Sequence, residues 1–387
     1  MGTHRRRGLC AAAAAGALVA LGSAGAGAAA SAGSAMRPVH PVIAYIVNTG
    51  ANTVVPLDTA TNTLSATITV GLGPDAIAFA PDGKTAYIAN GALGSMQSAD
   101  TVTTIDTATN TVGKTIKVGT RPSGMAITPD GKTVYVVSQS GVTPVNTATR
   151  TAGRTIKVGK YPGPIAITPN GKTAYVLNAS SNTVIPIRLA TGKVGQPINV
   201  GSEPGAIAIT PNGKTVYVVN FRFGHKSGTV TPIRTANNKA GKAIKVGQYP
   251  ANILITPNGK TAYVTSDAHV LTVTPIHTAT NTAGKAVTVG KPSRGLGPRN
   301  MAITPNGKTL YIVNWAAGSV IPFRTATNTA GKAIKGLNAP LTIAITPNGK
   351  AVYVSCGGTD SVVAIRTATN KVQKVFKDVS GLIAMKP

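Results

Sequence analysis

The chain has 387 residues, of which 12% are charged and 4% aromatic, with 44 glycines and 26 prolines. That balance, rich also in Val, Thr and Asn, excludes a helical bundle and suits many short strands joined by tight turns. The 38 Lys and Arg against 10 Asp and Glu give a net charge of +28, a field that attracts polyanions and acidic surfaces and says nothing of fold.

Residues 1–35 read as an export signal. Arg5, Arg6 and Arg7 form a basic start, an apolar stretch runs from Leu9 to about Gly22, and small residues offer cleavage sites after Ala26, Ala30 or Ala35. The run "RRRGLC" weakly resembles a twin-arginine signal, although three arginines are also an ordinary positive start. Cys10 precedes the apolar run, so it belongs to the signal and is not a lipid anchor. Cleavage after Ala35 leaves 35 basic residues against 10 acidic, a net +25, with Cys356 as the sole thiol and no intramolecular disulfide. No later stretch has the 18 apolar residues of a membrane span, so a secreted or cell-surface protein is expected. Residues 36–41 form a short linker to a single domain over 42–387.

From there one phrase recurs: "FAPDGKTAYI", "ITPDGKTVYV", "ITPNGKTAYV", "ITPNGKTLYI". Alignment on its tyrosine gives eight copies, Tyr45, Tyr87, Tyr135, Tyr175, Tyr217, Tyr263, Tyr311 and Tyr353, spaced by 40 to 48 residues. Short strands at that period predict a β-propeller blade. In the unit from Gly163 to Val200, "GPIAIT" is a first strand, "PNGK" a tight turn, "TAYVLN" a second strand, "VIPIR" a third, "LATG" a turn and "KVGQPINV" a fourth. The first two strands are nearly continuously apolar, as sheets stacked on both faces require. Lysines on the fourth strand guard an open edge. The sequence begins the domain at "VIAYIVN", a second strand, and ends at "GLIAMKP", a first strand without a successor. Pairing these two closes a ring. The expected fold is all-β: eight four-stranded blades with the C-terminal strand completing the first, the alternative being seven blades.

The phrases "YVTS", "YIVN", "YVVN" and "YVLN", with "TPNGKTAYV" and the "DTATNT" turns at 58 and 106, resemble the YVTN β-propeller repeat family over roughly residues 42–386. That resemblance implies an exported or cell-surface protein, and related propellers include lactonases, streptogramin lyases and DNA-binding periplasmic proteins. The family's Asp before the "TATN" turn stands here at Asp58 and Asp106 and is replaced by Asn146, Arg188, Arg234, His277, Arg324 and Arg366 in the other blades.

Strand alternation puts the "PNGK" and "TATN" turns on one face and the second-to-third-strand loops with the "VGxxP" blade links on the other. The turn face carries a ring of lysines, Lys84, Lys132, Lys172, Lys214, Lys260, Lys308 and Lys350, read either as solvated turn residues or as a docking surface for a repeating polyanion. The loop face is where the copies differ, and variation on a uniform scaffold marks binding loops. Phe221, Arg222, Phe223, His225 and Lys226 interleave aromatics with cations, as do Arg294, Arg299 and Trp315; Tyr161 and Tyr249 precede link prolines as further platforms. Such residues suit sugars, bases or aromatic ligands by stacking and charge, or else cap blade interfaces and brace the links.

No catalytic, metal or cofactor motif is expected. Asp75, Asp100, Glu203, Asp267, Asp360, His225 and His269 come from separate blades, and no H-x-E or H-E-x-x-H spacing occurs. Cys356 has no nearby histidine and is not read as a nucleophile. The leading expectation is an exported non-enzymatic binding scaffold for an anionic wall polymer, polysaccharide, single-stranded nucleic acid or protein partner. The alternatives are a lactonase-like or lyase-like enzyme with a channel metal, and a structural surface-layer component.

Overall fold

The repeated phrase folds as a hairpin for reasons local to its turn. In a computed structural model describing residues 43–91, 99–221, 227–267, 270–290 and 300–387, Asn170 Oδ1 accepts hydrogen bonds from the Thr168 hydroxyl (2.7 Å) and the Lys172 N–H (3.0 Å). Gly171 follows at φ 68°, a conformation that costs a residue with a Cβ and not glycine. The hairpin joins Pro162–Ile167 to Thr173–Asn178; Thr183–Arg188 pairs next, and an outer strand is made of two pieces, Lys193–Val194 and Ile198–Asn199. The signal and the linker lie outside the described residues.

Eight such antiparallel sheets form, numbered as blades 1 to 8 in the order of their tyrosines. The inner strands contact their neighbours around a closed ring, Pro204–Ile209 lying between Pro162–Ile167 and Pro250–Ile255. Blade 1 closes it: Leu382–Met385 pairs antiparallel with Ile43–Asn48, placing Ile383 opposite Ile46 and Met385 opposite Ala44. Eight blades and closure by the C-terminal strand are therefore as the sequence predicts.

The apolar core is divided among the blade junctions. Ala166, Tyr175 and Leu177 of blade 4 pack on Ile207, Val216 and Val218 of blade 5, and equivalent clusters fill the other junctions, including Tyr353 and Ala364 of blade 8 against Ala44, Ile46 and Ile383 of blade 1. Burial on both sheet faces explains the unbroken apolar second strands.

Six of the eight junctions also carry a hydrogen bond from the repeated tyrosine to an asparagine of the next blade. Tyr175, Tyr263, Tyr311 and Tyr353 donate to Asn238, Asn328, Asn370 and Asn62 of the following blade at 2.7, 2.9, 2.7 and 2.7 Å. Tyr217 does the same to Asn281, and Tyr45 to Asn110. Each acceptor is the Asn of a third-to-outer-strand turn, at φ near 55°. Blade 3 interrupts the series on both sides: Arg150 stands at that position opposite Tyr87, and Gly192 opposite Tyr135, whose hydroxyl reaches only Leu189 O at 3.4 Å.

The outer strand departs from the expected single strand. It is continuous only in blades 2 and 8, at Thr111–Lys117 and Lys371–Lys377. In the other six, a proline occupies the middle of the third strand (Pro56, Pro144, Pro186, Pro232, Pro275, Pro322), where blades 2 and 8 have Thr104 and Ala364. Each proline carbonyl accepts from the outer segment, as from Gly241 to Pro232 at 2.7 Å, but no N–H is available in return.

Candidate functional site at the variable-loop face

The loop face is built from the blade links and the loops after each second strand. A residue at positive φ precedes the link proline in several blades: Arg121, Tyr161, Glu203, Tyr249 and Ala339. An Asn or Asp just before the third strand holds this link from the neighbouring blade. Asn52, Asp100 and Asn182 accept through Oδ1 from the N–H groups of Gly73, Arg121 and Glu203 at 2.7, 2.8 and 2.9 Å. Asp360 accepts from the Ser380 hydroxyl at 2.9 Å. Asp100 and Asp360, two of the acids considered as candidate ligands, are thus engaged in bracing links. The signal for this role was in the sequence, as "NT", "DT" or "DS" opening the third strand, although its partner lies some 20 residues away.

The structure brings two of the predicted aromatics together. Phe221 leaves the second strand of blade 5 and stacks on Tyr249 of the link into blade 6, with ring centroids 5.2 Å apart and planes at 28°. The Phe221 N–H donates to Glu203 O at 3.1 Å, and the Tyr249 carbonyl accepts from the Asp267 N–H at 3.2 Å, so backbone bonds anchor the chain at both residues. Both rings are half-buried. Tyr161 stands apart in the link into blade 4 and is 64% exposed, the most open large apolar side chain among the described residues. Trp315 is half-buried in the loop of blade 7, its carbonyl accepting from Gly318 N–H at 3.2 Å. Arg222, Phe223, His225, Lys226, Arg294, Arg299 and His269 lie outside the described residues.

At the inner mouth of this face, Asn300 Nδ2 donates to Leu341 O (3.1 Å) and Thr342 Oγ1 to Gly381 O (2.8 Å), linking blades 7, 8 and 1. On the other arc Gly124 and Gly205 face open space, where a Cβ would touch nothing. Asp267 is buried beside Tyr249, and Asp75 lies against Gly91. Among the described residues no three His, Cys, Asp or Glu side chains converge as a metal site. Burial pushes the Cys356 thiol up to about 11, against nucleophilic use.

The residues after the tyrosine motif act structurally, but not uniformly. Asn48 and Asn314 accept from their own loops (Ala51 N–H, 3.0 Å; Ala317 N–H, 3.1 Å), whereas Asn220 donates to the Thr229 and Thr231 hydroxyls of the third strand. Asn220 also explains the glycine of the preceding link, since a Cβ on Gly201 would lie 2.7 Å from its side chain.

The family described as "Lactonase, 7-bladed beta-propeller" matches residues 41–196, 218–330 and 273–380, well over half of the chain. The chain belongs to that family. This lactonase-family chain closes with eight blades where the family description gives seven. Among solved structures it is similar to Kuenenia stuttgartiensis hydrazine synthase, at 25% identity and a TM-score of 0.61, covering 79% of this chain and 98% of that one. A functionally unknown protein from Desulfotomaculum acetoxidans DSM 771 aligns at 18% identity and TM-score 0.63, over 89% of this chain and 98% of that one. Dihydro-heme d1 dehydrogenase NirN in complex with DHE aligns at 14% identity and TM-score 0.73, over 88% and 74%. The last two likenesses show the fold alone. Curated proteins yield no match.

Proposed function

We propose that the chain is an exported binding propeller of the cell surface, which holds an anionic, ring-bearing partner such as a wall polysaccharide on its variable-loop face. The stacked Phe221–Tyr249 pair carries this reading, because two rings meet at a junction of the most divergent loops on chain that backbone bonds anchor. The net charge of +25 that remains after removal of residues 1–35 supplies the attraction to an anion. Capture of wall fractions by the full chain should weaken steeply between low and high salt. A Phe221→Ala/Tyr249→Ala variant should lose most capture at unchanged thermal stability. Capture that is indifferent to both salt and the double substitution refutes the reading.

The family match favours a second reading, a lactonase-type enzyme at the channel mouth. The acids it would draw on are Asp75, near the start of the innermost strand of blade 2, and Asp267, buried at the end of the second strand of blade 6. Turnover of a lactone panel with and without added divalent cation, abolished by Asp267→Asn in a folded protein, would establish it in place of the first.

A further inference from the structure

The turn face, opposite the variable loops, distributes its charge unevenly. In the turns of blades 1 to 3, Asp58, Asp82, Asp106 and Asp130 balance Lys84, Lys132, Arg150 and Lys386. In the turns of blades 4 to 8 there is no acid. An inner arc of exposed Lys172, Lys214, Lys260, Lys308 and Lys350 runs beside an outer arc of exposed Arg188, Arg234, His277, Arg324 and Arg366.

Folding does not require this difference. In the inner turns Asp130 and Asn170 do the same work, each accepting from the preceding Thr hydroxyl (2.6 and 2.7 Å) and from the following Lys N–H (3.1 and 3.0 Å). In the outer turns Asp106 accepts from the Ala108 and Thr109 N–H groups at 2.8 and 3.1 Å, which hold its carboxyl below the usual range. The arginines that replace it in blades 4, 5, 7 and 8 give up that acceptor, as does His277 in blade 6. Three of them also stand directly opposite another cation across the strand pair: Arg188 and Lys193, Arg234 and Lys239, Arg366 and Lys371. Like charges so placed are destabilising. Four blades therefore sacrifice local capping, and three add repulsion, for positive charge on one face.

We propose that this crescent docks the disk on an anionic lipid bilayer with the turn face down. Two concentric arcs on one side of a disk meet a planar anionic surface together, whereas one linear polyanion would follow a single arc or cross at a few points. These turns contain no aromatic residue to stack on bases or sugars and no Phe, Trp or Ile to insert into lipid. Docking is therefore peripheral and electrostatic, each Lys or Arg near the surface adding to the attraction and salt screening it. The variable loops then face away from the membrane. This assignment is independent of the wall-polymer reading, since it uses the other face and another probe.

The test is sedimentation of the full chain with vesicles of phosphatidylcholine containing roughly one-third phosphatidylglycerol, at low and high salt. A crescent variant carries Arg188→Asp, Arg234→Asp, Arg324→Asp and Arg366→Asp, each placing the residue that Asp58 and Asp106 already supply at that turn, so it should melt no lower than the parent. A control carries Lys117→Glu, Lys242→Glu, Lys245→Glu and Lys335→Glu, the same charge change on the outer strands. The expected result is salt-sensitive capture of the parent, at least ~10-fold weaker for the crescent variant and within about twofold for the control. No capture of the parent, unchanged capture of the crescent variant, or equal loss in both variants overturns the proposal. Full displacement by soluble polyphosphate at matched phosphate concentration overturns it too, in favour of a linear polyanion.

Discussion

Tyr311 and Asn370 lie 59 residues apart and belong to different blades, yet one 2.7 Å hydrogen bond explains why both recur along the chain. Tyr311→Phe should cost about 1 kcal/mol of stability, the usual net value of such a bond, read as a lower denaturant midpoint at constant m. At the junction where the contact is missing, Gly192→Asn should add up to about 1 kcal/mol, because Asn tolerates the positive φ and brings an acceptor toward Tyr135. A midpoint unchanged or lowered in that variant would show that Tyr135 cannot reach it. Burial also pushes the phenols of Tyr45, Tyr175, Tyr217, Tyr311 and Tyr353 up to about 12. The folded ring keeps protons that the unfolded chain releases near pH 10, so their contribution is intact below that pH and is lost as pH rises toward 12. In a Tyr161→Phe/Tyr249→Phe background, which leaves only the tyrosines of the repeat, circular dichroism and tyrosinate absorbance should change together in that window; tyrosinate appearing there with the sheet signal intact would contradict the burial. The tyrosines were plain in the sequence as a repeat, but their partners were not, since the bond crosses a blade boundary and joins two motifs that each look locally complete.

At the scale of the strand, nearly identical segments take different forms. "TVGKTIK" of blade 2 is one continuous outer strand, and "KAGKAIK" of blade 5 is broken into Lys239–Ala240 and Ile244–Lys245. The difference lies in the strand beneath, Thr104 against Pro232. Pro232→Thr should therefore protect the amides of Lys242 and Ala243 from hydrogen exchange, and exchange as fast as in the parent would assign the break to the outer segment itself. The expectation of lysines guarding a free edge covered part of the matter; the prolines add a second guard by interrupting the ladder available to another chain. Strand existence and order were legible from apolar runs and turn residues. The break was not, because its cause, the proline, sits in the neighbouring strand, which it leaves without a donor, and nothing in the outer segment itself records it. For the candidate site, the sequence marked the divergent loops and both rings of the Phe221–Tyr249 stack, but their contact depends on how two blades meet.

At the scale of the molecule, closure was readable because "GLIAMKP" matches "GAIAITP" and lacks the second strand that should follow. The ring it closes is eight-bladed in a family described by seven, so blade number follows from repeat count in this chain and not from membership. Removal of residues 380–387 exposes the Ile43–Asn48 edge and the surface covered by Ile383, and should cost at least about 3 kcal/mol, the scale of one large buried side chain. A melting temperature equal to the parent's would mean that the blades hold without the final strand. The pairing that closes blade 1 also fixes how the ring answers force. The chain enters at Ile43 and leaves at Met385 on the same face, in adjacent antiparallel strands, so tension between those two points peels their hydrogen bonds one after another instead of shearing them together. Pulled by both ends the ring opens like a zip at low load, while a tether on one end alone leaves the clasp unstressed.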